Sequence, residues 1–244
     1  GFTGRSNFWV REDGTLDGRR FDGHQVEVTG RKGGLDARAD VKLYVPEGKR
    51  VEVQWGHGAG DIRGVSATLA IDGASLDVNA ASTDGSLSIS VGSGSVRLLS
   101  SRGRVHVETG SGDVEVRQSE SDHLAVETGS GTIRASDLEA PSLSLETGSG
   151  DIEAATIRSS NASLETGSGQ VSLVLTGDVD RLSVESGSGD VTVSVPGNLG
   201  AAVHLESGSG SIDADARIQV SHKDRRELNG TMGDGRGRLS LETG

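Results

Sequence analysis

The sequence predicts an all-β fold, a single-stranded β-solenoid (β-helix) with rungs of 19–21 residues and an aromatic-containing N-terminal cap. Three observations predict it. A motif recurs at fixed spacing, apolar residues alternate with period two on both sides of that motif, and helix signals are nearly missing.

The repeat is read first. Six segments align: VHVETGSGDVEV from Val105, LAVETGSGTIRA from Leu124, LSLETGSGDIEA from Leu143, ASLETGSGQVSL from Ala162, LSVESGSGDVTV from Leu182 and VHLESGSGSIDA from Val203. Their starts lie 19, 19, 19, 20 and 21 residues apart. Degenerate copies lie upstream, SISVGSGSVRL from Ser88 and EVQWGHGAGDIRG from Glu52.

Each copy reads apolar-x-apolar, then E-[TS]-G-S-G, then alternation again. Period-two alternation is a strand with one buried face. Val105, Val107, Val114 and Val116 are expected to point inward, and His106, Glu108, Asp113 and Glu115 outward. Paired glycines such as Gly110 and Gly112 allow the tight bend between the strands. Ile157 and Leu138 are candidates for a further short strand that completes each coil. About 19 residues cannot hold a helix and two strands, but they suit one rung stacked about 4.8 Å from the next. A β-propeller needs about 40 residues per blade and ranks lower, because the repeat is near-identical at 19.

Composition narrows the function classes. The 244 residues include 38 Gly, no Cys and only 2% aromatics, so an aromatic-filled globular core is not expected. The net charge of -12 repels phosphate backbones and argues against nucleic acid as a partner. No stretch reaches the roughly 18 apolar residues of a membrane helix. The chain starts at Gly1 without Met and shows no signal peptide, which reads as a processed or trimmed form.

Residues 1–40 are expected to be an irregular cap or anchoring segment, and 41–244 the solenoid, most regular over 105–220. Phe2, Phe8, Trp9, Phe21, Tyr44 and Trp55 all fall in the first 55 residues. They read as an end cap, with a sugar-stacking platform as the sharper alternative. DVKLYVPEGKRVEVQW reads as strand, turn, strand. Residues 214–238 depart from the repeat and read as an excursion with a Gly-rich loop. The chain closes on LSLETG from Leu239, which reads as an unfinished rung.

LYVPEG followed by VEV, the recurrent LETGSGDI corners and the closing NGTMGDGRGRLSLETG resemble a bacterial adhesin repeat family, a domain of unknown function predicted as a β-solenoid. The resemblance covers roughly residues 40–244. It implies a secreted or cell-surface location and adhesion-like activity. It brings no catalytic residues.

No catalytic constellation stands out, and an enzyme is not expected. No cofactor is expected either, with Ca²⁺ as the open question. A column of acids, Glu108, Glu127, Glu146, Glu165, Glu185 and Glu206, recurs at the corner. It reads as a solvated column or, with Asp113, Asp151 and Asp190, as a Ca²⁺ ladder. Thr132, Gln170 and Ser211 interrupt the Asp positions. The Thr109 and Ser111 columns read as hydroxyls that satisfy corner amides, or as an ice- or glycan-binding face. His106 and His204 read as surface residues, and no histidine pair has metal spacing. The run His222–Arg226 reads as an exposed basic loop. The expected function is therefore a structural or adhesive extracellular protein of bacterial type. Its expected partners are itself, stacked end to end into a filament, or a surface glycan or protein. A polysaccharide-binding or Ca²⁺-dependent surface β-helix is the alternative.

Overall fold

The fold is that of a computed structural model, which describes residues 40–209, 212–214 and 217–244 in full and residues 5–10, 16–17 and 24–29 as backbone strands. The chain forms two compact units, Gly1–Tyr44 and Val45–Gly244. In the first, β1 (Arg5–Val10), β2 (Leu16–Asp17) and β3 (His24–Thr29) form an antiparallel sheet with β1 in the middle. The expectation that residues 1–40 are irregular is thereby corrected. Their capping role, and the side chains of Phe2, Phe8, Trp9 and Phe21, lie outside the described residues.

The second unit is a β-solenoid of about eight turns. Its strands are β4 (Arg50–Arg63), β5 (Ser66–Ala81), β6 (Asp84–Ser93), β7 (Val96–Leu99), β8 (Arg102–Ser111), β9 (Val114–Arg117), β10 (Glu120–Ser130), β11 (Ile133–Glu139), β12 (Ser142–Ser149), β13 (Ile152–Arg158), β14 (Asn161–Ser168), β15 (Val171–Leu175), β16 (Arg181–Ser186), β17 (Val191–Ser194), β18 (Ala201–Ser207), β19 (Gln219–Lys223), β20 (Glu227–Met232) and β21 (Gly237–Thr243). The expected strand over DVKLYV does not form. Residues 40–46 carry no strand assignment, and Val41, Leu43 and Tyr44 stand exposed.

One side of the stack runs through β4, β5, β6, β8, β10, β12, β14 and β16, all parallel. A second side runs through the ends of β4 and β5, then β7, β9, β11, β13, β15 and β17. The register Leu69–Leu87–Val105–Leu124–Leu143–Ala162–Leu182 gives rungs of 18, 18, 19, 19, 19 and 20 residues. The predicted alternation holds: Val105, Val107, Val114 and Val116 are fully buried, while His106, Glu108 and Asp113 face solvent and Glu115 is half-buried. Leu138 and Ile157 are buried too, and each closes its rung from the far end of a second-side strand.

The first corner depends on glycine for contact between rungs. Gly131 has φ +144°, and a Cβ there would lie 2.2 Å from the Gly112 carbonyl oxygen of the preceding rung. A second corner recurs at Gly64, Ser82, Ser100, Gln118, Asp137 and Thr156, all with φ between 52° and 59°. Five of these six carry a side chain in the left-handed region, where a Cβ crowds the backbone. The regular pairing of the neighbouring rungs holds them there.

The C-terminal end departs from sequence order. β21 lies between β16 and β18, parallel to both, with Leu182, Leu239 and Val203 in register. The 21-residue interval from Leu182 to Val203 is therefore not a rung contact, because Leu239 separates the two. The reading of LSLETG as an unfinished terminal rung is corrected in the same way. Antiparallel β20 flanks the far side of β18, and β19 pairs with β20. The expected excursion over 214–238 thus contains a hairpin. The turn from β20 to β21 crosses the start of β18, where the Gly237 amide donates to the Gly200 carbonyl at 2.8 Å. A Cβ on Gly200 would collide with Asp234 at 1.9 Å.

Two substitutions test the corners by thermal melting. Gly131→Ala places a methyl inside the stack and is expected to destabilise by at least about 2 kcal/mol. Thr156→Asn replaces a β-branched residue at positive φ in an exposed position and is expected to stabilise by about 1 kcal/mol. At this chain length that shift corresponds to roughly 2–4 °C in Tm.

Candidate functional site

The alternation that buries Val105 and Val107 turns the next residue, Glu108, outward. Parallel register then stacks its equivalents into one column: Glu108, Glu127, Glu146, Glu165, Glu185, Glu242, Glu206. All seven are exposed. Glu242 was missed in the sequence reading, since only the insertion of β21 places it between Glu185 and Glu206. Glu227 of β20 faces Glu206 and extends the column. Neighbouring rungs sit about 4.8 Å apart.

Among the described residues, the one basic side chain within ion-pair distance of the seven-residue column is His204, whose Nε2 lies 3.6 Å from Glu206. Its ring also bonds Asn229 Oδ1 through Nδ1, at 2.7 Å. Both histidines take outward positions, His106 exposed and His204 half-buried. The second side of the stack balances its charge instead. Arg134 lies 3.4 Å from Glu153 and 3.9 Å from Asp113, and Arg97 lies 3.6 Å from Glu115. The unneutralised column therefore belongs to one face. Partial burial, followed by the charges of Glu127 and Glu165, raises the pKa of Glu146 above the usual carboxylate value.

The proposed Asp ligands sit past the corner and have other work. Asp113 Oδ1 accepts from the Thr132 amide at 2.9 Å, and Asp151 Oδ1 from the Gln170 amide at 2.8 Å. Asp190 is exposed at the equivalent place. Among the described residues, the three His, Asp and Glu side chains whose ligand atoms converge within 4.8 Å are His222, Asp224 and Glu227. The column acids and Asp113, Asp151 and Asp190 form no such set. The converging trio was not singled out in the sequence; a His-x-Asp-x-x-Glu spacing was its only signal. Asp224 Oδ1 accepts from the amides of Arg226 and Glu227 at 2.7 and 2.8 Å, which lowers its pKa. His222 and Lys223 end β19, and Asp224–Arg226 form the exposed hairpin turn.

The two hydroxyl columns separate. Thr128, Thr147, Thr166 and Ser186 are buried, and each donates to a corner glycine carbonyl of the preceding rung: Gly112 at 3.2 Å, Gly131 at 3.1 Å, Gly150 and Gly169 at 2.9 Å. They satisfy carbonyls, not the amides expected. Buried as they are, they cannot form an ice- or glycan-binding face. Ser111, Ser130, Ser149, Ser168, Ser188 and Ser209 remain exposed. Thr109 Oγ1 is buried without a hydrogen-bond partner among the described residues.

A family profile, Toastrack DUF4097, matches residues 23–244. The chain belongs to this family. The match extends further toward the N-terminus than the resemblance over 40–244 implied. The Toastrack family is a solenoid family without an enzyme-type assignment. Neither a curated protein nor a solved structure matches the chain. Among the described residues, no helix of this Toastrack chain is long and apolar enough to cross a membrane.

The column makes a signed pH prediction. Glu146 is mostly solvent-exposed, so screening holds the repulsion below about 1 kcal/mol. A carboxyl with a raised folded pKa adds stability below its unfolded value of 4.5, and that contribution is lost as pH rises through the folded pKa. Glu146→Gln is therefore expected to melt higher than the wild type at pH 7, with the gap closing below about pH 4.5. Added salt should narrow the gap at pH 7. Asp77 and Asp224 are shifted the opposite way, and their contribution is lost only as pH falls below the usual Asp range.

Proposed function

We propose that this Toastrack chain is a non-enzymatic structural or adhesive element acting outside the cell or on its surface. The carrying observation is the exposed face of β8, β10, β12, β14, β16, β21 and β18, where seven carboxylates repeat in register and none lies within ion-pair distance of a Lys or Arg among the described residues. A rigid periodic face makes many weak contacts at once, and their summed avidity exceeds any single contact. The ligand groups repeat along the stack and do not converge at a cleft, which suits a surface partner better than a turned-over substrate. The partner is a surface glycan or protein; the acidic face disfavours nucleic acid.

A second form of this reading is end-to-end self-assembly. Among the described residues, the ladder found for β17 is the one with β15. Unpaired edges are templates for strand addition. The neighbouring end of the first side is covered by β19, whose five residues are all exposed and include His222 and Lys223. Charge on an edge strand opposes such addition.

Labelled full-length chain is expected to bind intact cell surfaces. The triple substitution Glu127→Gln, Glu146→Gln, Glu165→Gln should weaken that binding at least about fivefold without lowering the melting temperature. No cell-surface binding, or turnover of a glycan by the purified chain, overturns the reading. Negative-stain images with and without Ca²⁺ separate the two forms: filaments support self-assembly, and isolated short rods leave a monomeric adhesive unit.

A further inference from the structure

Three side chains of metal-binding type gather on the hairpin at the C-terminal end of the stack. β19 carries His222, the turn carries Asp224, and Glu227 opens β20. One ligand atom from each lies within 4.8 Å of the other two. Among the described residues, no other group of three or more His, Asp or Glu side chains converges in this way. Two donors about 2.1 Å from one cation stand roughly 3–4 Å apart, so small side-chain rotations close the trio on a single ion. His222 and Asp224 are exposed and have room for those rotations.

Two of the three are held in place by neighbours. The Asp224 amide donates to the Glu227 carbonyl at 2.9 Å and closes the turn. Asp224 Oδ1 accepts the amides of Arg226 and Glu227, which ties the carboxylate to that turn. Glu227 is half-buried, and its Oε1 accepts from Asn229 Nδ2 at 2.6 Å. Asn229 lies outside the trio and stands opposite His222 in the β19–β20 ladder. It is held in turn by His204, whose ring Nδ1 lies 2.7 Å from Asn229 Oδ1. A ligand carboxylate aimed by an amide behind it is the support that metal sites use to fix ligand direction.

The donor set selects the ion. One imidazole nitrogen and two carboxylates suit a borderline divalent cation such as Zn²⁺, whereas Ca²⁺ and Mg²⁺ take oxygen ligands. We propose that His222, Asp224 and Glu227 bind a Zn²⁺-type ion that staples the β19–β20 hairpin, with water completing its coordination. The two carboxylates offset the charge of the ion. Exposed Lys223, Arg225 and Arg226 oppose it, which keeps the affinity moderate. The staple has a structural use. All five residues of β19 are exposed, and the strand is paired with β20. An ion held by β19, the turn and β20 together fixes this outer strand onto the stack, because a ligand that binds the folded form stabilises it. The site is separate from the seven-residue acidic column and stands independently of the adhesive reading.

The test uses the untagged full chain, stripped with chelator and titrated with Zn²⁺ and Ca²⁺ by calorimetry at about pH 7.5, where imidazole is mostly neutral. One Zn²⁺ per chain is expected, with a Kd of about 1–10 µM, and Ca²⁺ at least about a hundredfold weaker. His222→Ala removes the nitrogen donor. Glu227→Gln keeps an oxygen for Asn229, and Asp224→Asn keeps one for the turn amides. Each is expected to weaken Zn²⁺ at least about tenfold while the metal-free melting temperature stays unchanged. Zn²⁺ should also slow amide hydrogen exchange across β19 and the turn. Absence of Zn²⁺ binding at about 1 mM, preference for Ca²⁺, or a Zn²⁺ affinity unmoved by all three substitutions overturns the site. Binding that leaves exchange in β19 unaltered overturns the staple.

Discussion

Backbone contact between successive corners is the constraint on which the rest of the structure depends. A parallel stack brings each Gly-Ser-Gly corner directly over the one before, and the carbonyl of one glycine occupies the space where the next would carry a Cβ. Only glycine permits that approach, and only that approach lets both flanking strands keep their ladders. Identical register on two sides follows, and the buried Val, Ile and Leu columns follow from the register. The threonine hydroxyls inside the corner then bond the carbonyls that the tight bend would leave unpaired.

The same constraint creates the acidic column. Strict register gives side chains one residue outside the corner no choice of neighbour except their own equivalents. Where those equivalents are Glu, like charges face each other along the stack, and the pKa of Glu146 is raised by partial burial first and by these charges second. The second side shows that the fold does not demand this: Arg134 there sits between Asp113 and Glu153. The acidic face is a property of the residues chosen and not of the solenoid. That contrast is why the face carries the functional reading.

The C-terminal end solves a different problem. A solenoid exposes a strand edge wherever its stack stops. Here the chain leaves the stack after β18, turns back as the antiparallel β20, and returns to place β21 in an inner position. The closing strand is thus held by ladders on both edges, and an exposed, partly charged hairpin strand takes the outer position.

The sequence by itself determined the period-two faces, the glycine corners and the outward Glu108–Glu185 column, because each is a local property of spacing that stacking merely repeats. The Glu146 repulsion is likewise implicit in a 19-residue period. Only the tertiary structure decided the rest. The second corner at Ser82, Ser100, Gln118, Asp137 and Thr156 has no residue signature, because neighbouring rungs impose its positive φ on side chains that would not choose it. The strand LSLETG at 239–244 is identical to 143–148, so nothing in its residues distinguishes an end rung from an inserted one. Its position follows from which strand edges β18 and β20 leave open. The burial of Thr128 depends equally on what lies in the next rung, and that is a relation between distant parts of the chain.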